Sequence, residues 1–189
     1  RFFVGVERFD PVLVSWNGGG FDLPVIHYRS LLHAVTGSRY WEVGDNDQSF
    51  RYNNYGNRFH WRHIDLMDVL AGFQFRAAAP LHEIAVMLGL PGKLGMSGGD
   101  VWDSYIGNRI DQIRNYCEID VLNTYLVYLR FEQIRGNLNA KELQEEFDLV
   151  RRTLKKEKQP HLDKFLEHWH IIGSNVSHVE TLSNRPKSR

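Results

Sequence analysis

The sequence predicts an α/β fold. Two short apolar runs bounded by turn residues, Val12–Val14 and His63–Leu66, read as strands. Each is followed by a segment with helical signals, which is the alternation of parallel-sheet proteins. The second half carries long helical periodicity from about Arg109 onward.

Taken in order, Phe2, Val6 and Phe9 recur at helical spacing, and Asp10-Pro11 ends that helix. Val12-Leu13-Val14 follows as a buried, parallel strand. The chain turns through Asn17-Gly18-Gly19-Gly20, and a helix starts near Asp22 and Pro24 and runs to about Ala34. Aspartate before proline suits a helix start, because the carboxylate caps free N–H groups and proline needs no donor there. Residues 36–60 scatter Tyr40, Trp41, Phe50, Tyr52, Tyr55 and Phe59 among Gly, Asn and Asp, and read as an excursion of β-hairpin type.

After the second strand, Met67 to Phe73 starts a helix, and Leu81 to Leu88 forms another that Gly89 stops. Gly92 to Gly99 is a glycine-rich loop, and Val101 to Ile106 a short helix. The strongest helix spans about Arg109 to Ile134. Its predicted apolar stripe is Ile110, Ile113, Cys117, Val121, Leu122, Tyr125, Leu126 and Leu129. Leu143, Phe147, Val150 and Leu154 mark a charged amphipathic helix, and Leu162, Phe165, Leu166 and Trp169 a last one. The expected organisation is a domain over 1–136, a helical extension over 137–173 and a disordered polar tail over 174–189.

Composition is that of an ordinary globular chain: 189 residues, 42% apolar, 24% charged, formal net charge zero. A zero net charge lacks the basic field of many nucleic-acid binders. It does not exclude one, because carboxylates gathered at a site cancel basic residues in the sum. The one cysteine, Cys117, reads as a core residue, cannot form an internal disulfide, and fits a reducing, cytoplasmic location. No apolar run is long enough to cross a bilayer, so no membrane partner is expected.

Two patterns carry chemistry. Asn17, Phe21 and Asp22 follow directly on the first strand, at the carboxyl end where parallel sheets bind ligands, and three glycines let the backbone approach closely. Asp22 taken alone reads better as a helix cap. Tyr116 and Asp120 stand four apart and share a helix face beside the apolar stripe, where a carboxylate needs a cation or metal partner.

Taken together these patterns resemble the DEDD exonuclease superfamily, tyrosine subclass, whose fold is ribonuclease H-like. The wording of residues 13–24, 63–68 and 116–125 resembles more closely a group of predicted exonucleases related to the proofreading domain of family B DNA polymerases. The resemblance implies a mixed sheet flanked by helices with a helical C-terminal extension. It implies 3′–5′ removal of nucleotides from single-stranded nucleic acid, DNA rather than RNA, with two Mg²⁺ or Mn²⁺ ions as cofactors. Asp22, Tyr116 and Asp120 would be catalytic, Asp22 and Asp120 the metal ligands, and Asn17, Phe21 and Trp16 substrate contacts. The family's first motif is Asp-x-Glu on the first strand, and no Asp-x-Glu occurs in these 189 residues. The resemblance therefore implies that the first strands lie upstream of Arg1, and that the chain alone is aggregation-prone and inactive. Asp22 and Asp120 are expected to approach, raising the pKa of at least one.

Weaker candidates have plainer readings. Arginines 39, 51, 58 and 62 interleave with aromatics as a single-strand surface would, or simply pack in a hairpin. Asp65 caps the next helix or joins the metal site; Asp100 and Asp103 cap helices; the basic run from Arg151 to Lys158 is a solvated helix face. The competing function is a catalytically inactive nucleic-acid-binding module of the same fold.

Overall fold

The computed structural model describes residues 1–169; the tail predicted over 174–189 lies outside them. The described residues form two compact units that divide between Ala79 and Pro80.

In the first unit, α1 (Phe2–Phe9) buries Phe3 and Val6 and stops at Asp10, whose φ of 47° is left-handed. Strand β1 (Leu13–Ser15) pairs in parallel with β2 (His63–Asp65), with Leu13 opposite His63 and Ser15 opposite Asp65. The parallel α/β arrangement is as the sequence predicts. The buried strand is β2, however; β1 is half-buried and Val12 is 54% exposed. Among the described residues β1 has a single neighbour in a two-stranded sheet, so it is not enclosed as an interior strand would be. Helix α2 (Asp22–His33) follows the first strand and α3 (Leu66–Leu70) the second, shorter than the stretch to Phe73 that the sequence suggests.

Residues 36–60 form no hairpin. They fold as successive turns with one short 3₁₀ segment, Gln48–Phe50. Side chains, not a strand ladder, satisfy much of this backbone. The Glu42 carboxylate accepts from the N–H groups of Val43, Gly44 and Asn46 and from Asn46 Nδ2. The turns wrap a core of Phe3, Val6, Tyr40, Phe50 and Tyr55. Tyr40 and Tyr55 stack at 5.4 Å, and the guanidinium groups of Arg39 and Arg62 lie 4.2 and 3.6 Å from the Phe50 centroid. Both arginines pair with Asp10, and Arg39 also with Asp47.

The second unit is helical: α4 (Leu81–Met87), α5 (Val101–Ile106), α6 (Ile110–Ile134), α7 (Ala140–Glu157) and α8, residues 160–169. Helices α4, α5 and α7 all pack on α6. The buried face of α6 is Ile119, Asn123, Leu126, Val127, Leu129 and Phe131. Of the predicted stripe, Leu126 and Leu129 are buried, whereas Cys117 is exposed, as are Val121 (67%), Ile110 (49%) and Tyr125. Neighbours on several sides of α6 select a face that includes polar Asn123, which an apolar count passes over. Asn123, 1% exposed, accepts from the Gly92 N–H and donates to the carbonyls of Gly92 and Ile119. Helix α7 opens on a capping box, Asn139 with Glu142, and buries Leu143, Phe147 and Leu154.

Candidate active site

The motif loop leaves β1 at Ser15 and enters α2 at Asp22. Asn17 sits at φ 62°, in the left-handed region that asparagine tolerates better than most residues. Its carbonyl accepts from the N–H groups of Gly20 and Phe21, closing the turn. The turn leaves little room beside two glycines: a Cβ at Gly18 would collide with the Ser15 side chain, and one at Gly20 would have to displace the Asn17 amide.

Asp65 anchors this loop. Its Oδ1 accepts from the Asn17 N–H and its Oδ2 from the Gly19 N–H, both at 2.8 Å. Asp65 occupies the N-cap position of α3 but makes no capping bond there. The expected cap is thus replaced by a latch between strands. The parallel register puts Asp65 opposite Ser15, two residues before the loop's first anchored N–H, and the residue is 8% exposed. Beside it, Ser15 Oγ and His63 Nε2 lie 2.8 Å apart, and burial pushes the His63 pKa down.

Asp22 is the first residue of α2, not its cap; that position is Phe21, which makes no side-chain capping bond. A carboxylate in the first turn is still favoured by the helix dipole. Its pKa is raised, first by desolvation and then by the Asp65 charge, against opposing effects of its backbone hydrogen bond and His63. Burial is thus the main cause of the rise, and Asp65 is the carboxylate that adds to it. Phe21 is 65% exposed. Trp16 is half-buried, and its Nε1 is buried without a hydrogen-bond partner among the described residues.

Tyr116 and Asp120 belong to the second unit, on α6, both half-buried. The Tyr116 pKa is raised well above that of an ordinary tyrosine, first by burial and then by its hydrogen bond to Asp120. The phenol therefore stays protonated at neutral pH and can only donate or orient. Asp120 Oδ1 is buried without a hydrogen-bond partner among the described residues. Lys93 of the glycine-rich loop places its ammonium 5.9 Å from the Tyr116 ring centroid.

A divalent ion fits this donor chemistry: a buried carboxylate oxygen lacking a partner is a hard ligand awaiting a cation. Among the described residues no three or more His, Cys, Asp or Glu side chains converge as a metal site. They supply Asp120 as a fitting ligand, short of a complete two-ion set.

The secondary candidates resolve mostly to packing. Arg39 and Arg62 are committed to Asp10 and Phe50, so they do not form a strand-binding surface; Tyr52 and Phe59 remain exposed at 79% and 64%. Asp100 closes a capping box with Ser97, as expected. Arg151 stacks over Trp169 at 4.1 Å and pairs with Asp148, while Arg152, Lys155, Lys156 and Lys158 are exposed. Sequence reasoning passed over the latch role of Asp65, the Ser15–His63 contact and Lys93. The first two were readable only from strand register. Nothing local marks Lys93.

A strand–turn–helix bearing Asn17, Phe21 and Asp22 and a helix bearing Tyr116 and Asp120 are elements of a mixed, helix-rich α/β protein. Over residues 1–169 the chain matches the family described as a predicted 3′–5′ exonuclease related to the exonuclease domain of PolB. It belongs to that family. No curated protein and no solved structure matches it.

Proposed function

We propose that this protein is a metal-dependent 3′–5′ exonuclease of ribonuclease H-like fold that trims single-stranded nucleic acid, DNA rather than RNA. The observation that supports this reading most is the pair on α6. Asp120 carries a buried oxygen without a hydrogen-bond partner among the described residues, four positions from a tyrosine held protonated.

In this reading Asp22 and Asp120 would each be ligands for Mg²⁺ or Mn²⁺, which would supply an activated water and charge for the leaving 3′ oxygen. Tyr116 donates its O–H to orient the attacking water, and its raised pKa bars it from acting as a base at neutral pH. Asp65 fixes the backbone of Asn17 and Gly19, and so the start of the helix that presents Asp22. Exposed Phe21 offers a ring face to a base, a contact indifferent to sequence.

The test is release of mononucleotides from a 3′-labelled single strand with Mg²⁺ or Mn²⁺, repeated with chelator and with Asp120→Asn. Trimming lost under both conditions supports the proposal. Trimming indifferent to chelator and to Asp120→Asn overturns it.

The second reading is an inactive binding module of the same fold, favoured by the lack of any Asp-x-Glu in the 189 residues. Tight single-strand binding by the full-length protein, without trimming at any metal concentration, would establish it.

A further inference from the structure

The second unit contains a cavity of about 240 Å³ that extends from Tyr116 along α6, beyond the residues of the two motifs. One wall is a face of α6 contributing Gln112, Asn115, Tyr116 and Ile119. Leu94 and Met96 of the glycine-rich loop line it as well, with His161 and Lys164 of α8.

We propose that this cavity receives one nucleobase of the single strand, next to the nucleotide being removed. The proposal rests on the exonuclease reading for the identity of the strand, and its chemistry rests on the cavity.

Size comes first. Pockets for whole small molecules run to about 300–1,000 Å³, so this one suits a single ring system. The lining then selects the ring. Leu94, Met96 and Ile119 give an apolar surface for a flat face, and the Tyr116 ring adds an aromatic one. Gln112 and Asn115 each bring a donor and an acceptor, the combination needed at the edge of a heteroaromatic base. Neither amide side chain, nor the Lys164 ammonium, has a hydrogen-bond or ion-pair partner among the described residues. His161 is different: its Nε2 lies 2.7 Å from Glu118 Oε2, which fixes that wall. One uncommitted cation fits one phosphate of a strand, and is too little for a polyphosphate.

Position supports the same occupant. Gln112, Tyr116 and Asp120 repeat at four-residue intervals on one helix, about 6 Å apart along its axis. A base seated against Gln112 and Tyr116 therefore lies about one nucleotide step from a phosphodiester engaged by Asp120.

The test uses the full-length protein, Ca²⁺ in place of the catalytic ion, and fluorescein-labelled oligodeoxynucleotides with one abasic site moved stepwise from the 3′ end. In the wild type, one position near the 3′ end should weaken binding about tenfold when its base is missing. Met96→Trp, which fills the cavity, and Gln112→Ala, which removes an edge contact, should each abolish that penalty by weakening the intact strand to match. A penalty that persists unchanged in both variants, or no position-dependent penalty in the wild type, overturns the inference. Asp120→Asn is scanned in parallel. A wild type that shows the abasic penalty but never trims its strand refutes the exonuclease reading and leaves the base pocket standing. Trimming without an abasic penalty does the reverse.

Discussion

At the scale of single residues, Tyr116 and Asp65 do different work. Tyr116 lacks any means of deprotonating at neutral pH, so its hydroxyl acts by placement. Tyr116→Phe keeps the ring and should lower turnover roughly 10²-fold, the usual order for lost alignment, while single-strand affinity measured by anisotropy stays within about twofold. Undiminished turnover would remove Tyr116 from the mechanism. Asp65 receives two backbone N–H groups at 2.8 Å. Asp65→Asn leaves one acceptor oxygen and no charge, so one of the two anchored amides loses its partner. The Asn17 and Gly19 amides should then exchange with solvent at least about tenfold faster by NMR, a cost of about 1.4 kcal/mol or more in local opening. Exchange rates equal to wild type would show that the latch carries no weight.

At the scale of elements, the excursion over residues 36–60 and helix α6 show what holds each unit. The Glu42 carboxyl is held down at about 2, first by hydrogen bonds from Asn46, and Asp47 at about 2 by Ser49 and Arg39. Both folded values lie below the ordinary 4.5 and 3.8. Their stabilisation is therefore complete above about pH 4.5 and is lost as pH falls toward 2, because the unfolded chain then takes up protons first. Acid titration followed by tyrosine and tryptophan fluorescence should show the first unit loosening in that window, and Glu42→Gln should flatten the response. An unchanged acid midpoint in Glu42→Gln would show that the carboxylate does not organise the turn. In α6, Asn123 satisfies both backbone groups of buried Gly92. Asn123→Ala should cost about 3 kcal/mol in urea unfolding, since it strands two buried polar groups; Asn123→Asp should not restore it, because it lacks the donor. A loss below about 0.5 kcal/mol would contradict this account.

At the scale of the whole molecule, ion binding and folding are linked. A ligand that binds only the folded chain adds about 2.7 kcal/mol of stability at a hundred times its dissociation constant. Mn²⁺ should raise the midpoint of thermal unfolding in the wild type and much less in Asp120→Asn, whose neutral amide is a poorer ligand for the ion. An equal shift in both would place the ion elsewhere. No helix among the described residues is long and apolar enough to cross a membrane.

Much of this protein was legible without coordinates. The two strand positions, the α2 start at Asp22 and the span of α6 all follow from local signals: apolar runs, glycine turns and helical periodicity. Those signals survive because backbone geometry imposes them wherever the segment finally sits. The excursion over 36–60 was misread because its order comes from Glu42, Arg39 and Arg62 reaching across turns, which no periodicity encodes. The buried face of α6 was misjudged because neighbouring helices, not the helix's own apolar count, decide which side is enclosed; hence Cys117 lies outside and Asn123 inside. Asp65 gives the sharpest contrast. Sequence placed it correctly at a strand–helix junction and assigned the nearer partner, the helix end. Only the parallel pairing of β1 with β2 brings its carboxylate to the Asn17–Gly19 amides, 46 and 48 residues away, where two hydrogen bonds outweigh one local cap.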